Sequence, residues 1–283
     1  MASALKSKIH CTVSGLVLAA ILLLSVSPAR SELKLHFIDV GEGDSVLVQC
    51  GQDAMLVDAG PVEAGTVVNS YLNDILSDLT LSAVIATHEH DDHLKGMPDA
   101  LKGMNVRTVY SSPAVPMSWW FSVILPLLNQ KSLNVLNPSP GDSFQLGSAT
   151  VTFLNTLPSA DNANDLSLVV RIDDGAASVL LTADIEGAAE TDMVAKHVPL
   201  KADILKVAHH GGSTSTSELF LKNVDPRWAV ISVGKDNPHG HPHTETLNSL
   251  NRRNITVYRT DQFGTVVAVN DGTGWSSEVM KAR

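Results

Sequence analysis

Cysteine is nearly absent from this 283-residue chain, which has two, and aromatic residues make up only 5% of it. Cys11 sits in an N-terminal segment expected to be removed, so Cys50 stands alone and an internal disulfide is excluded even in an oxidising compartment. In VLVQC, Cys50 follows the apolar alternation of a strand and reads as a small buried residue rather than a reactive thiol. Positive charge is also scarce, with 20 Lys and Arg against 30 Asp and Glu. That balance argues against broad, sequence-independent attraction to nucleic acid, which needs cationic side chains to displace phosphate counterions. No Pro/Gly/Ser linker, short repeat or low-complexity tract divides the chain.

Long apolar runs are lacking except for one. Lys6 and Lys8 precede an uncharged stretch from Cys11 to Val26, and Ser27, Pro28 and Ala29 follow it. This is the layout of a secretory signal peptide over residues 1–29, with cleavage after Ala29. An uncleaved anchor is the rival reading, but the apolar core is short, at about 16 residues against the ~20 of a spanning helix. Residues 30–283 are then expected to form one exported domain, periplasmic or extracellular, with no transmembrane segment after cleavage. The mature chain keeps 18 basic and 30 acidic side chains, because the leader removes two lysines and no acid.

What is present is an alternation of short β-branched runs with helical patterns. LKLHFIDV, SVLVQC and AMLVDAG read as strands separated by GEGD and GQD turns. Val67, Val68, Tyr71, Leu72, Ile75 and Leu79 recur at helical spacing. LSAVIATH is a buried strand, a helix is expected from Asp92 to about Met104, and NVRTVYSS closes the first half as a strand. SFQLGSATVTFL reads as a hairpin-like pair. From Leu166 strands and helices alternate again, and TVYRT and GTVVAV end the chain. Two β-rich halves, each with helices of its own, predict an α/β fold built as a four-layer αββα sandwich.

Histidine carries the chemistry. Eight of the 11 histidines fall in three clusters, at 88, 90 and 93, at 209 and 210, and at 239, 241 and 243. Each cluster ends a predicted strand, where side chains from different strands can converge. His88 and His90 project to one side of an extended backbone and can grip one ion; Asp92 and His93, where the chain turns into a helix, can serve a second. Imidazole with carboxylate suits zinc, manganese or iron better than calcium or magnesium.

The run HEHDDH matches the HxHxDH signature of the metallo-β-lactamase fold superfamily. Within it the chain resembles the extracellular hydrolase domain of ComEC/Rec2 competence proteins through HFIDVGEGDS (36–45), LVDAG (56–60), THEHDDH (87–93), NDLSLVV (164–170), LLTADIE (180–186), LKADILKVAHHGG (200–212), AVISVGKDNPHGHP (229–242) and TDQFGT (260–265). The resemblance implies two divalent ions, Zn²⁺ favoured over Mn²⁺ or Fe, held by His88, His90, Asp92, His93, Asp184 as bridge and one of His209 and His210, with His210 preferred because the corresponding histidine often directly precedes glycine. Where many members have a third histidine for the first ion, this branch has an Asn/Asp segment, here Asn164 and Asp165; Asp165 is the candidate ligand, with a helix or turn cap as its alternative. Asp39, Asp58 and His209 are expected to support the ligands from behind, and the tight turn of Asp39, Gly41, Gly43 and Asp44 to pack under the metal site, with plain hairpin chemistry as its alternative. Asp92 would orient the attacking water as well as bind metal, and His241 of the GHP motif would contact substrate or donate a proton; His239 and His243 read as a solvated loop. Three residues depart from the family pattern: Ala183 and Lys95 where glycine is usual, and Gly212 where serine usually follows HHG.

The resemblance implies a hydrolase whose metal-activated water attacks a phosphodiester in a nucleic acid, nucleotide or phosphorylated envelope component, the net charge disfavouring a polynucleotide. A lactone, ester or β-lactam is the alternative substrate, and a non-catalytic binding module the alternative role. The run SWWFSVILPLL reads as a core helix, with a substrate-facing flap as its alternative.

Overall fold

The computed structural model describes residues 31–155, 157 and 159–280, so the leader expected over 1–29 lies outside the described residues. β1 (Leu33–Phe37), β2 (Val46–Cys50) and β3 (Asp53–Val57) form an antiparallel meander, and Cys50 is buried at the end of β2. Alternation in β1 sends Leu33, Leu35 and Phe37 to one face and His36 to the other, where its ring meets the Tyr71 hydroxyl at 2.8 Å and Gln49 at 3.0 Å. α1 (Gly65–Ile75) buries Val68 and Leu72 on the first sheet but leaves Val67 exposed. β4 (Thr80–Ala86) and β5 (Asn105–Ser111) then add parallel to β3.

The helix predicted from Asp92 to Met104 is broken into two single turns, α2 (Asp91–Leu94) and α3 (Met97–Ala100). Pro98 opens the second, where its missing N–H has no helical partner to lose. α4 (Met117–Trp119) runs into a π-helical turn over Trp120–Ile124. Trp120 and Ile124 are buried, and Trp120 Nε1 donates to Ser111 Oγ at 3.0 Å, so this run is anchored in the core. Its other face leaves Met117, Phe121 and Val123 exposed. β6 (Val135–Leu136) closes this edge of the sheet.

The second sheet is built from β7 (Ser143–Leu146), β8 (Ala149–Phe153), β9 (Val170–Asp174) and β10 (Ala177–Leu181) in antiparallel succession. α5 (Gly187–Ala195), α6 (Glu218–Val224) and α7 (Thr244–Arg252) alternate with β11 (Ile204–Lys206), β12 (Trp228–Ile231) and β13 (Thr256–Arg259), which continue it in parallel. After the single turn α8 (Thr260–Phe263), β14 (Thr265–Asn270) and β15 (Trp275–Met280) return to the first sheet beside β1. The strand orders are β15-β14-β1-β2-β3-β4-β5-β6 and β13-β12-β11-β10-β9-β8-β7.

Leu35, Phe37, Val48 and Ile85 of the first sheet pack against Val151, Ile172, Val179 and Ile204 of the second. Outside them, Leu47, Leu56 and Val84 meet Val68, Leu72 and Trp120, while Leu180, Leu205 and Ile231 meet Met193, Phe220 and Leu250. Three apolar layers between four structural ones make the αββα sandwich, and each fully buried Leu, Ile or Phe in them contributes roughly 1.5–3 kcal/mol. The C-terminal ends of β3, β4, β10, β11 and β12 lead directly into Asp58, His88, Asp184, His209 and Ser232, on one rim of the two sheets.

Candidate metal centre

Asp58 follows β3 in a left-handed backbone conformation, φ 54°, and is fully buried. Its carboxylate accepts from Thr87 N at 2.9 Å and Thr87 Oγ1 at 2.6 Å, and faces His93 Nδ1 at 2.8 Å. A carboxylate in this setting holds the His93 proton on Nδ1 and leaves the Nε2 lone pair for another partner. His210 is set in the same way: its Nδ1 donates to the Ser232 carbonyl at 3.0 Å, so Nε2 points into the centre. His88 Nδ1 meets Thr87 Oγ1 at 3.1 Å.

Asp92, His93, Asp184 and His210 each offer a ligand atom within 4.8 Å of the others. His210 Nε2 lies 3.1 Å from Asp92 Oδ2 and 3.4 Å from Asp184 Oδ2, and His93 Nε2 lies 3.3 Å from Asp184 Oδ1 and 3.8 Å from Asp92 Oδ2. Ligands at ~2.0–2.2 Å from one ion stand ~3.0–3.4 Å apart in octahedral or tetrahedral arrangements. His88 Nε2, His93 Nε2 and Asp184 Oδ1 are buried without a hydrogen-bond partner. Unpaired buried donors and acceptors are costly, and a divalent ion would satisfy atoms of this kind. His88 Nε2 sits 4.0 Å from Asp184 Oδ2, and its ring centroid lies 4.7 Å from that of the half-buried His90.

Burial alone would push His93 and His210 down, but Asp184 outweighs it, aided by Asp58 at His93 and Asp92 at His210. His93 is held well above its ordinary value and His210 is pushed up to about 10. Burial would raise Asp92 and Asp184; the His93 and His210 imidazoliums hold both well below the carboxylate range. Burial, reinforced by the His93 charge, keeps His88 well below its ordinary value. The imidazoles and carboxylates thus favour each other's charged forms, a role that a divalent ion would take over from the protons.

Three residues that build this site, Lys206, Thr87 and Glu42, are not singled out by the sequence. Lys206, 1% exposed at the end of β11, pairs with Asp44, places Nζ 3.9 Å from Asp184 Oδ1 and donates to the Ala183 carbonyl at 3.3 Å. Thr87 links Asp58 to His88. Glu42 faces His241 Nδ1 at 3.1 Å and accepts from Gly234 N at 2.7 Å. The only advance signs were a lysine in an otherwise apolar strand and the acids of the GEGD turn. That turn presses on the HxHxDH loop: Gly43 has φ 136°, and a Cβ there would stand 2.2 Å from the Asp92 carbonyl.

Three of the expected residues have partners of their own outside the cluster. Asp39 closes its own turn, accepting from Gly41 N at 3.3 Å, and Asp44 is the acid of that loop that reaches the centre. His209 turns to Glu186, whose Oε1 lies 3.3 Å from its Nδ1. Asp165 caps α5 with one oxygen: its Oδ1 accepts from Glu186 N at 2.8 Å and Ala189 N at 3.1 Å, the helix-cap alternative. Its neighbour Asn164 donates Nδ2–H to Glu186 Oε1 at 2.8 Å, while Asn164 Oδ1 is buried with no partner.

His241 stands at the mouth, its ring centroid 6.1 Å from that of His210 and 5.4 Å from that of His209. Gly212, one of the departures from the family pattern, makes room for it, since a Cβ at 212 would lie 3.3 Å from His241 Nε2. Ala183, another, adopts φ 46°, which explains why glycine is usual there. Asp184, which follows it, keeps its place at a backbone cost of roughly 1–2 kcal/mol. The third, Lys95, is exposed and pairs with Asp91 at 3.6 Å. Beside the HxHxDH loop, Glu89, Leu94, Lys95, Val115, Pro116 and Trp119 line a cavity of about 170 Å³.

A four-layer sandwich with a preassembled His/Asp centre at its rim defines a metal-dependent hydrolase of a known kind. The chain belongs to the metallo-beta-lactamase superfamily, whose family model matches residues 38–235. It is 30% identical to ComE operon protein 3 of Bacillus subtilis over 271 residues, covering 89% of this chain and 35% of that protein. With Recombination protein 2 of Haemophilus influenzae it shares 27% identity, covering 91% of this chain and 31% of that one. The chain therefore spans about a third of the length of the curated relatives it matches. Among solved structures, the metallo hydrolase Igni18 of Ignicoccus hospitalis superimposes with a TM-score of 0.57 at 16% identity, covering 84% of this chain and 98% of that one, a likeness of fold. No helix among the described residues is long and apolar enough to cross a membrane.

Proposed function

We propose that this chain is an exported phosphodiesterase that uses two divalent ions, Zn²⁺ or Mn²⁺, to hydrolyse a nucleotide, a nucleic acid or a phosphorylated envelope component. The observation that carries the reading is the Asp92, His93, Asp184 and His210 cluster, buried on three sides and open through Asp92, whose side chain is 33% exposed. When bound, divalent ions polarise the scissile bond and acidify a water. Asp92 would hold an ion and orient a water from the open side, and Asp58 and Ser232 keep the two imidazoles in the tautomer that would bind. His241, with Glu42 on its Nδ1, presents Nε2 for proton donation to the leaving oxygen. The names of the relatives, a competence-operon and a recombination protein, favour a nucleic-acid or nucleotide phosphodiester over a lactone. The Trp119 and Lys95 cavity suits an aromatic group attached to a phosphate. Export rests on the leader-like segment over residues 1–29.

The test is a panel of bis-p-nitrophenyl phosphate, single-stranded DNA, a lactone and nitrocefin, each with Zn²⁺ or Mn²⁺. Turnover of a phosphodiester supports the proposal; turnover of the lactone or nitrocefin alone overturns it.

A further inference from the structure

We infer that the cavity beside the HxHxDH loop is a subsite for one nucleobase of the substrate, stacked on Trp119, with Lys95 meeting the charge of the phosphate next to it. This deepens the phosphodiesterase reading and rests on it. It narrows the substrate to a phosphodiester that carries an unpaired base.

Both walls of the cavity are fixed to the end of β4. One wall is the ligand loop itself: Glu89 stands between His88 and His90, and Leu94 and Lys95 follow His93. The His90 carbonyl accepts from His93 N at 3.2 Å and from Leu94 N at 3.1 Å, and Lys95 N donates to the Asp91 carbonyl at 3.0 Å. Wall and ligands therefore share a single helical turn. The other wall, Val115, Pro116 and Trp119, belongs to the segment after β5, where Ser112 N donates to the carbonyl of Ala86, two residues before His88, at 2.9 Å.

Trp119 is held as a platform. Its ring meets Trp120 edge-on, with centroids 5.0 Å apart at 77°, and Trp120 is fully buried and tied through Nε1 to Ser111 Oγ at 3.0 Å. Trp119 N donates to the Pro116 carbonyl at 2.9 Å, and the π-helical turn begins directly after it. Turns of that kind are rare and gather at functional sites. Half-buried and packed on the core, Trp119 has little freedom left to lose when a ring stacks on it. The two readings of SWWFSVILPLL thus fall to two residues, Trp120 in the core and Trp119 lining the cavity.

Size and charge select the occupant. At about 170 Å³ the cavity is smaller than the ~300–1,000 Å³ of a pocket that encloses a whole ligand, so it takes one ring system and leaves the rest of the molecule outside. Glu89 supplies an acceptor for the N–H or NH₂ that each base carries on its pairing edge. Lys95 pairs with Asp91 at 3.6 Å between side chains 59% and 79% exposed, a contact worth little in water, so a phosphate can take the ammonium over. A base within a duplex is already paired and stacked, which restricts the subsite to nucleotides and single strands.

The experiment compares two esters with the same leaving group, thymidine 5′-p-nitrophenyl phosphate and methyl p-nitrophenyl phosphate, on the metal-loaded chain. Wild type is expected to favour the thymidine ester in kcat/KM, mainly through KM. Trp119→Ala should lower that preference by about fivefold to a hundredfold, the range for losing one base from an aromatic ring, and leave the methyl ester within about twofold. The methyl ester thereby reports that the centre has folded. Trp119→Phe, which keeps a ring, should retain the preference, and Lys95→Gln should raise KM for both esters. No preference in the wild type, an equal loss with both esters in Trp119→Ala, or an unchanged KM in Lys95→Gln would overturn the subsite with the phosphodiesterase reading intact. A wild type that hydrolyses neither ester would overturn that reading and the subsite with it.

Discussion

Replacing Asp58 by Asn changes one oxygen for an NH₂ in a fully buried position and should change which nitrogen of His93 carries the proton. In the native chain one carboxylate oxygen accepts from Thr87 N at 2.9 Å; the other accepts from Thr87 Oγ1 and faces His93 Nδ1 at 2.8 Å. In Asp58→Asn the remaining oxygen keeps the Thr87 N–H, because a backbone amide can only donate. The new NH₂ then faces His93 Nδ1, which must accept, and the imidazole proton moves to Nε2, the atom aimed at Asp184. Loss of such an orienting partner costs 10–100-fold in metal affinity, or about 1.4–2.7 kcal/mol. Competition with a chromophoric chelator for Zn²⁺, wild type against Asp58→Asn, measures this directly. The fold should survive, since two of the three hydrogen-bonding directions can still be met. Unchanged metal affinity in a folded Asp58→Asn would refute the claim that Asp58 sets the ligand tautomer.

Other outcomes follow from buried groups around the same scaffold. Burial holds His36 down at about 4 against an ordinary 6.5, so as pH falls through 6.5 the unfolded chain binds a proton that the folded chain refuses. Stability should fall between pH 6.5 and 4 by about 3 kcal/mol at most from this residue and level off below. Urea unfolding of His36→Gln should show that much less acid sensitivity, and equal slopes for variant and wild type would count against it. Lys206→Met leaves Asp44 buried without its cation; breaking a buried pair in this way costs about 3–5 kcal/mol, seen as a lower unfolding midpoint of the metal-free protein. A loss below about 1 kcal/mol would mean that the pair is hydrated in solution. Gly43→Ala forces a Cβ to within 2.2 Å of the Asp92 carbonyl, so it should lower metal affinity without touching a ligand, and wild-type affinity in that variant would contradict the packing described.

The αββα layering was legible because apolar alternation and helical spacing are local properties, and β1, β4 and α1 each carry theirs within a dozen residues. The HxHxDH ligands were legible for a similar reason, being contiguous after a buried strand. Asp184 and His210 needed the family resemblance, since they are distant in sequence and each stands among other polar residues. Whether Asp165 caps a helix could not be read from sequence, because that depends on where the N-terminus of α5 lies in three dimensions; two of its N–H groups take Asp165 Oδ1. Lys206 was invisible for the opposite reason: a lone lysine in an apolar strand has meaning only once Asp44, from a turn more than 150 residues away, is brought against it. The helix predicted after His93 failed at Pro98, which starts a new turn instead of continuing the old one.

The central claim is that this chain hydrolyses its substrate with metal held at the Asp92, His93, Asp184 and His210 cluster. It is tested most directly by assaying wild type and Asp184→Asn in parallel for bound metal and for hydrolysis of bis-p-nitrophenyl phosphate with Mn²⁺ or Zn²⁺. The account predicts metal-dependent turnover in the wild type, and in Asp184→Asn a joint loss of bound metal and of rate, the rate by about a hundredfold or more. Turnover that survives both chelation and the loss of Asp184 would contradict it.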